Sequence, residues 1–544
     1  MARKTREAAG GPEIALVNAN VITMDETLPH AEAFVMRDGR FIYVGTTEEV
    51  RSLVPSKTHV IDLEHATVLP GLTDSHIHLM EFAATLVDLD LSAVSSFEGL
   101  LGAVAKRAEK TRTGEWIFGR GWNETKWEGE PGFDRKRLDA VTPSNPTFLL
   151  RIDGHAAFVN SAALEAAGIT RHTPDPQGGR ILRDAQSAEA TGMLIDAATE
   201  LVRRLVPEPS PEQRRDVLEL ALNTLASNGL TSVHEVAVNR ELLELLLDME
   251  SSWRLPVRVY GMLSYDEKLM EELAPLKDPA IHSGWVTIKG VKLFLDGALG
   301  SRGALLAEPY SDDKGNQGVA ILTKEEMLSR VKNILRLGYQ PAVHAIGDLA
   351  NRIVLDVYEE CLSEETFSHL RPRIEHAEVL FHSDVFRFGS LGIVASVQPI
   401  HLAGDIGWLE SRLGAERVRN AFLWRSLLDG GARLISGSDC PIESPNPFLG
   451  LHAAVTRQNL AGEPAGGWFA GERLTVEEAL RSYTLDAAYG SFQEHMCGSI
   501  VAGKSADFTI VDRDISTVPF DEIPGTRVLC TFVEGREIRA PLAH

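Results

Sequence analysis

Eight short apolar runs rich in β-branched residues recur along the chain, at 68–78, 230–236, 255–264, 286–296, 341–346, 373–377, 393–399 and 433–439. Their length and continuous hydrophobicity are those of strands buried on both faces. Amphipathic stretches with helical spacing stand between most of them: 212–228 before the second run, 324–337 before the fifth and 351–362 before the sixth. Strands alternating with helices predict parallel βαβ units, and eight of them predict an α/β fold built on a (β/α)8 TIM barrel.

Three segments fall outside this pattern. Short strand-like pieces at 13–24, 33–36, 40–44 and 59–63 are matched near the other end by 507–511, 528–533 and 537–539, with turns at Asp38-Gly39 and Glu534-Gly535. They predict that 1–67 and 496–544 join into one β domain flanking a barrel at 68–495. About 150 residues separate the first run from the second, far more than a βα connection needs. An insertion at about 110–210 is therefore expected after the first barrel strand, as a lid or capping subdomain. Its aromatics, Trp116, Trp122, Trp127, Phe133 and Phe158, suit a small core of its own.

A chain of 544 residues can bury a large core and form more than one domain, and 44 % hydrophobic with 24 % charged residues is ordinary for globular proteins. The net charge of −23 argues against a nucleic-acid partner and reads as a solubilising surface. Cys361, Cys440, Cys497 and Cys530 are scattered without Cys-x-x-Cys spacing, as expected of free thiols in a reducing, cytoplasmic setting. The opening MARKTREAAGGPE is basic with no apolar stretch behind it, so no secretory signal is expected. No run of about 18 apolar residues predicts a membrane span.

The chemistry lies at the ends of the runs. In PGLTDSHIHL, His76 and His78 stand two apart at the end of the first run and so share a strand face. Imidazole suits zinc and similar divalent metals. One His-x-His among 17 histidines is weak alone; the later runs give it weight. Lys292 lies within the fourth run, His344 ends the fifth, His376 is in the sixth and Asp439 ends the eighth. In a (β/α)8 barrel these ends converge on the catalytic mouth. His234 ends the second run and His401 follows the seventh; each is read as a candidate for polarising a substrate carbonyl or as a buried histidine. Burial of Lys292 favours the neutral amine, which can take up carbon dioxide to give a carbamate able to bridge two cations. An ion pair with Asp296 is the alternative. Lys289 is on the opposite pleat face.

Two other chemistries are set aside. The loop GALGSRG at 297–303 lacks the phosphate-loop spacing; it is read as a loop over the mouth, with Arg302 either an anion contact or part of a salt-bridged turn. No Gly-x-Ser-x-Gly elbow occurs, against a serine hydrolase. Cys440, beside Asp439, is read as packing.

With these segments stand GRGWNETKW, DGHAAFVNSAAL, TSVHEV, VKLFLDGALGSRGALL, VHAIGDLANR, RIEHAEVL, SVQPIH, SGSDCPIESPNP and GSIVAGKSADFTIVD. From about 14 to about 533 the chain resembles the amidohydrolase superfamily of metal-dependent hydrolases, in the branch that includes the N-substituted formamide deformylases. The resemblance implies a small β-sandwich from the chain ends, and hydrolysis of an amide-like C–N bond at one or two metal ions, Zn2+ being expected. It implies one metal on His76, His78 and Asp439, a second on His344 and His376, and carbamylated Lys292 between them. Asp439 would take the proton of the attacking water and deliver it to the leaving nitrogen, aided by His234 or His401 at the carbonyl. It also puts His155 near the substrate, with Trp122 as a further candidate. A single-zinc version stays open. So do ester, lactone, carbamate or cyclic-amide hydrolysis and deamination by the same site. A non-catalytic scaffold is disfavoured, because all six metal positions hold competent residues. The partner expected is a small, partly apolar molecule; a homodimer is compatible with this reading.

Overall fold

The computed structural model describes residues 13–127, 132–152, 154–207, 210–273, 281–282, 284–362 and 365–538. The basic opening segment up to residue 12, the 128–131 part of the GRGWNETKWEGEPG stretch, Asp153 of the Asp-Gly-His turn and the chain from Arg539 onward lie outside the described residues.

All eight expected strands form one parallel sheet. They are β1 (Leu72–Ile77), β2 (Leu230–Val238), β3 (Arg258–Ser264), β4 (Val286–Phe294), β5 (Gln340–Ala345), β6 (Arg373–His376), β7 (Val394–Val397) and β8 (Arg433–Ser436). Each pairs with the next in chain order. A parallel bridge between Ile77 and Cys440 brings the first strand to the segment after the last. The strands are buried almost throughout, so β-branched and aliphatic residues fill both faces. Helices such as Lys324–Arg336 before β5 and Asp348–Leu362 before β6 are the crossovers. The first has a Thr323–Glu326 capping box.

The run expected as one strand at 68–78 is two. Thr67–Pro70 pairs with Asn20–Ile22 and Phe508–Val511 in a different sheet. At Gly71 the chain crosses into the barrel, its amide donating to the Asp507 carbonyl at 2.9 Å. A side chain there would collide with Thr231. Hydrophobicity continues across the crossing, so the pattern alone carries no break.

The chain ends form two facing sheets. One orders Arg40–Gly45, Ala33–Arg37, Ile14–Val17 and His59–Asp62. The other orders Arg536–Ile538, Val528–Val533, Phe508–Val511, Thr67–Pro70, Asn20–Ile22 and His30–Ala31. Leu16, Phe34 and Phe41 from the first meet Val68 and Phe508 from the second in one core. Phe34 meets Phe41 and Phe508 edge-on, with ring centroids 5.2 and 5.1 Å apart.

Backbone packing divides the chain into two compact units, Glu81–Leu218 and the remainder. The first is wider than the insertion expected at about 110–210. It holds a sheet ordered Gly179–Arg183, Ala190–Asp196, Ala156–Val159, Thr147–Arg151, Ile117–Trp122 and Leu89–Asp90. Its two faces carry separate cores, Phe97, Trp122, Trp127 and Phe158 on one and Phe148, Val159, Leu164 and Leu194 on the other. Trp122 is fully buried and its indole N–H donates to the Leu149 carbonyl at 2.9 Å. Trp122→Ala is expected to cost about 3–5 kcal/mol, read by denaturant unfolding as early loss of this unit.

None of the four cysteines is in a disulfide, and Cys361, Cys440 and Cys497 are buried. Among the described residues no helix is long and apolar enough to cross a membrane.

Candidate metal centre

The site is built on the seam between β1 and the segment that follows β8. The Asp439 amide donates to the His76 carbonyl at 2.8 Å, and the His78 amide to the Cys440 carbonyl at 2.9 Å. Asp74, buried on β1, accepts the amides of His76 at 3.1 Å and Ser438 at 3.0 Å and bonds the Ser438 hydroxyl. Asp439 itself takes left-handed backbone geometry, φ 58°, which aspartate tolerates better than most residues. The result places Asp439 Oδ1 3.4 Å from His76 Nε2 and 3.3 Å from His78 Nε2.

The other predicted ligands close in from β4 to β6, joined by His401 from beyond β7. Lys292 is buried, its Nζ 3.3 Å from His76 Nε2. It faces His76 and not Asp296, whose oxygens accept the amides of Leu305, Ile346 and Gly347. Burial lowers the Lys292 ammonium to about 8, against the pull of Glu375 and Asp439. His376 lies with its ring centroid 4.9 Å from that of His76 and 4.5 Å from that of His344. His344 Nε2 is 3.6 Å from Asp296 Oδ1. His401, from the helix Pro399–Asp405 after β7, reaches within 3.8 Å of Asp439 Oδ2 through Nε2.

Among the described residues two donor sets result, each with all ligand atoms within 4.8 Å of one another: His76, His78 and Asp439, and His376, His401 and Asp439. Asp439 is common to both. Burial lowers His76 to about 4 and His344 to about 3, and pushes His376 well below its ordinary value, so these imidazoles are neutral. Burial raises Asp439, but His76, His78, His376 and His401 outweigh it and hold the carboxylate ionised. His344 Nε2, His376 Nδ1 and His401 Nε2 are buried and make no hydrogen bond. His344 and His376 are thus neutral imidazoles with unused nitrogens. Burial lowers His401, but Glu378 and Asp439 outweigh it and raise it to about 9, so that it gives up a proton to bind a cation. Such a set around an ionised carboxylate fits a divalent cation, and buried polar atoms are otherwise rarely left unpaired.

Sequence reasoning missed the groups that hold these ligands. Glu375 Oε2 is 2.6 Å from His76 Nδ1. Arg373 grips Glu375 through Nε at 2.7 Å and Nη2 at 3.0 Å, and donates to the Ser75 carbonyl and Ser396 hydroxyl. Burial raises Glu375, yet Arg373 and His76 hold it well below the usual carboxylate range. A carboxylate on Nδ1 fixes the His76 tautomer and directs Nε2 toward Asp439. The signal was present in Arg373-Ile374-Glu375-His376: two charged residues two apart on one face of a buried strand.

Four other candidates have partners of their own. His234 is buried with Nδ1 3.1 Å from Arg373 Nη1 and its ring edge-on to Tyr260, outside both donor sets. The Arg302 guanidinium donates to Asp312 at 3.1 and 3.0 Å, the salt-bridged turn that stood as the alternative to an anion contact. His155 belongs to the Glu81–Leu218 unit, exposed and 2.9 Å from Asp196. Trp122 is core of that unit and exposes no surface to a substrate.

Comparison with known proteins gives the family. The profile of the Amidohydrolase family matches residues 59–539. The chain is 35 % identical over 539 residues to Protein LONG AFTER FAR-RED 3 of Arabidopsis thaliana, covering 97 % of this chain and 91 % of that one. It is 30 % identical over 536 residues to the N-substituted formamide deformylase of Arthrobacter pascens, covering 96 % and 97 %. Among solved structures, an uncharacterized metal-dependent hydrolase from Pyrococcus furiosus superposes with a TM-score of 0.76 at 30 % identity, over 93 % of this chain and all of the other.

Proposed function

The chain belongs to the amidohydrolase family, and we propose that it hydrolyses an amide-type C–N bond in a small N-acyl or N-formyl compound. The observation that carries this reading is Asp439, an ionised carboxylate shared by two histidine donor sets at the mouth of a barrel. The name of the Arthrobacter pascens relative supports the bond type.

His76, His78 and Asp439 would hold one cation, His376 and its neighbour His344 would serve a second, and Lys292 as a carbamate would supply a further oxygen donor. Zn2+ suits such imidazole and carboxylate donors. The bound cations supply a Lewis acid that polarises a carbonyl and brings the acidity of water toward neutrality. The chain supplies the proton handling. Asp439 is held ionised, so it accepts the proton of the attacking water and returns it to the leaving nitrogen. Glu375 and Arg373 keep His76 in one tautomer while this happens. Burial leaves a fraction of Lys292 neutral near pH 8, as carbamate formation requires.

The test is a panel of matched N-formyl amines, N-acyl amines, esters, lactones, carbamates and cyclic amides offered to zinc-loaded protein. The expected result is amine release from formyl or acyl amides, with kcat/KM at least about tenfold above the matched esters, roughly 1.4 kcal/mol of preference. Preference for the esters or lactones would overturn the bond assignment and leave the family intact.

A further inference from the structure

We propose that His401 is itself a metal ligand, a donor added to His376, His344 and Asp439 at the second cation. This rests on the metal-dependent reading above and adds a donor from β7, which sequence reasoning treated as a carbonyl-polarising or merely buried histidine.

Three observations carry it. The first is spacing. Two ligands bound tetrahedrally at about 2.0–2.2 Å from one zinc ion stand roughly 3.4 Å apart. Asp439 lies 3.4 Å from His76 and 3.3 Å from His78, and 3.8 Å from His401. The donor atoms of His376, His401 and Asp439 all lie within 4.8 Å of one another. His344 belongs to neither such set, and its Nε2 is turned toward Asp296.

The second is the way His401 is held. Glu378 Oε1 is 3.5 Å from His401 Nδ1, as Glu375 Oε2 is 2.6 Å from His76 Nδ1. Both carboxylates come from β6 or its immediate extension, on either side of His376. In both pairs the carboxylate takes Nδ1 and leaves Nε2 facing Asp439. A histidine oriented by a carboxylate on its far nitrogen is built as metal ligands are built.

The third is the unused donor. His401 Nε2 is buried and makes no hydrogen bond. The helix that presents it is fixed by Pro399 in its first turn. An oxyanion-stabilising histidine would need only reach a substrate. This one is aimed at the carboxylate shared with the other donor set.

The experiment is titration of metal-free protein with Co2+, followed by calorimetry and by visible absorption, in wild type, His401→Ala and Glu378→Gln. Wild type is expected to show two binding events. His401→Ala should keep the first, which reports a folded barrel, and weaken the second at least about 100-fold with a changed cobalt spectrum; Glu378→Gln should weaken it about 10–100-fold. Two unaltered events and an unaltered spectrum in both variants would overturn the assignment while leaving the metal-dependent reading standing. A single event in wild type would overturn it as well, in favour of a mononuclear site. No binding by folded wild type would overturn the underlying reading itself.

Discussion

Asp439→Asn should cut kcat/KM by about three orders of magnitude or more with little loss of fold. General acid–base catalysis alone contributes about 10²–10⁴-fold, and this carboxylate is also common to both donor sets. Asparagine matches its shape but neither takes up the proton nor carries the charge that surrounding imidazoles stabilise. The fold should hold because the seam uses the Asp439 backbone amide, bonded to the His76 carbonyl at 2.8 Å. Steady-state rates at saturating zinc, with thermal unfolding alongside, read both quantities. A variant that keeps more than about a tenth of wild-type activity would move the proton transfer to another group.

Glu375→Ala should damage stability and metal affinity together. Arg373 and Glu375 are completely buried and paired at 2.7 Å. Removing one partner leaves an uncompensated buried cation, which costs about 3–5 kcal/mol. It also frees the His76 ring, and loss of such an orienting carboxylate lowers metal affinity about 10–100-fold. Glu375→Gln keeps a hydrogen-bond acceptor for the imidazole but not the charge, so it should sit between alanine and wild type in both measurements. Denaturant unfolding of the metal-free forms and zinc competition assays separate the two effects. Unchanged zinc affinity in a destabilised Glu375→Ala would restrict Glu375 to a structural role.

The barrel was readable because each strand is a continuous β-branched run with a helix-patterned stretch between, and burial on both faces leaves no other composition. The candidate ligands were read at the strand ends from that count. What escaped depends on contacts between distant segments. His76 and Glu375 are 299 positions apart, so no local spacing links them; the inward charge pair at Arg373 and Glu375 was the one visible trace. The split at Gly71 was hidden because Thr67–Pro70 and Leu72–Ile77 are equally apolar and differ only in which sheet they join. Trp122 and Arg302 are held by contacts that local sequence does not show. An aromatic in an insertion and an arginine in a glycine-rich loop suggest ligand contacts, yet the first fills a core and the second is bound by Asp312.

The most direct test of the account is metal content by elemental analysis after chelation and reconstitution with zinc, in wild type and His76→Ala, with amide hydrolysis measured on the same samples. About two zinc ions per wild-type chain are expected, fewer in His76→Ala, with hydrolysis that chelation abolishes and zinc restores. Folded wild-type protein that takes up no metal, or hydrolyses amides equally well without it, would contradict the account.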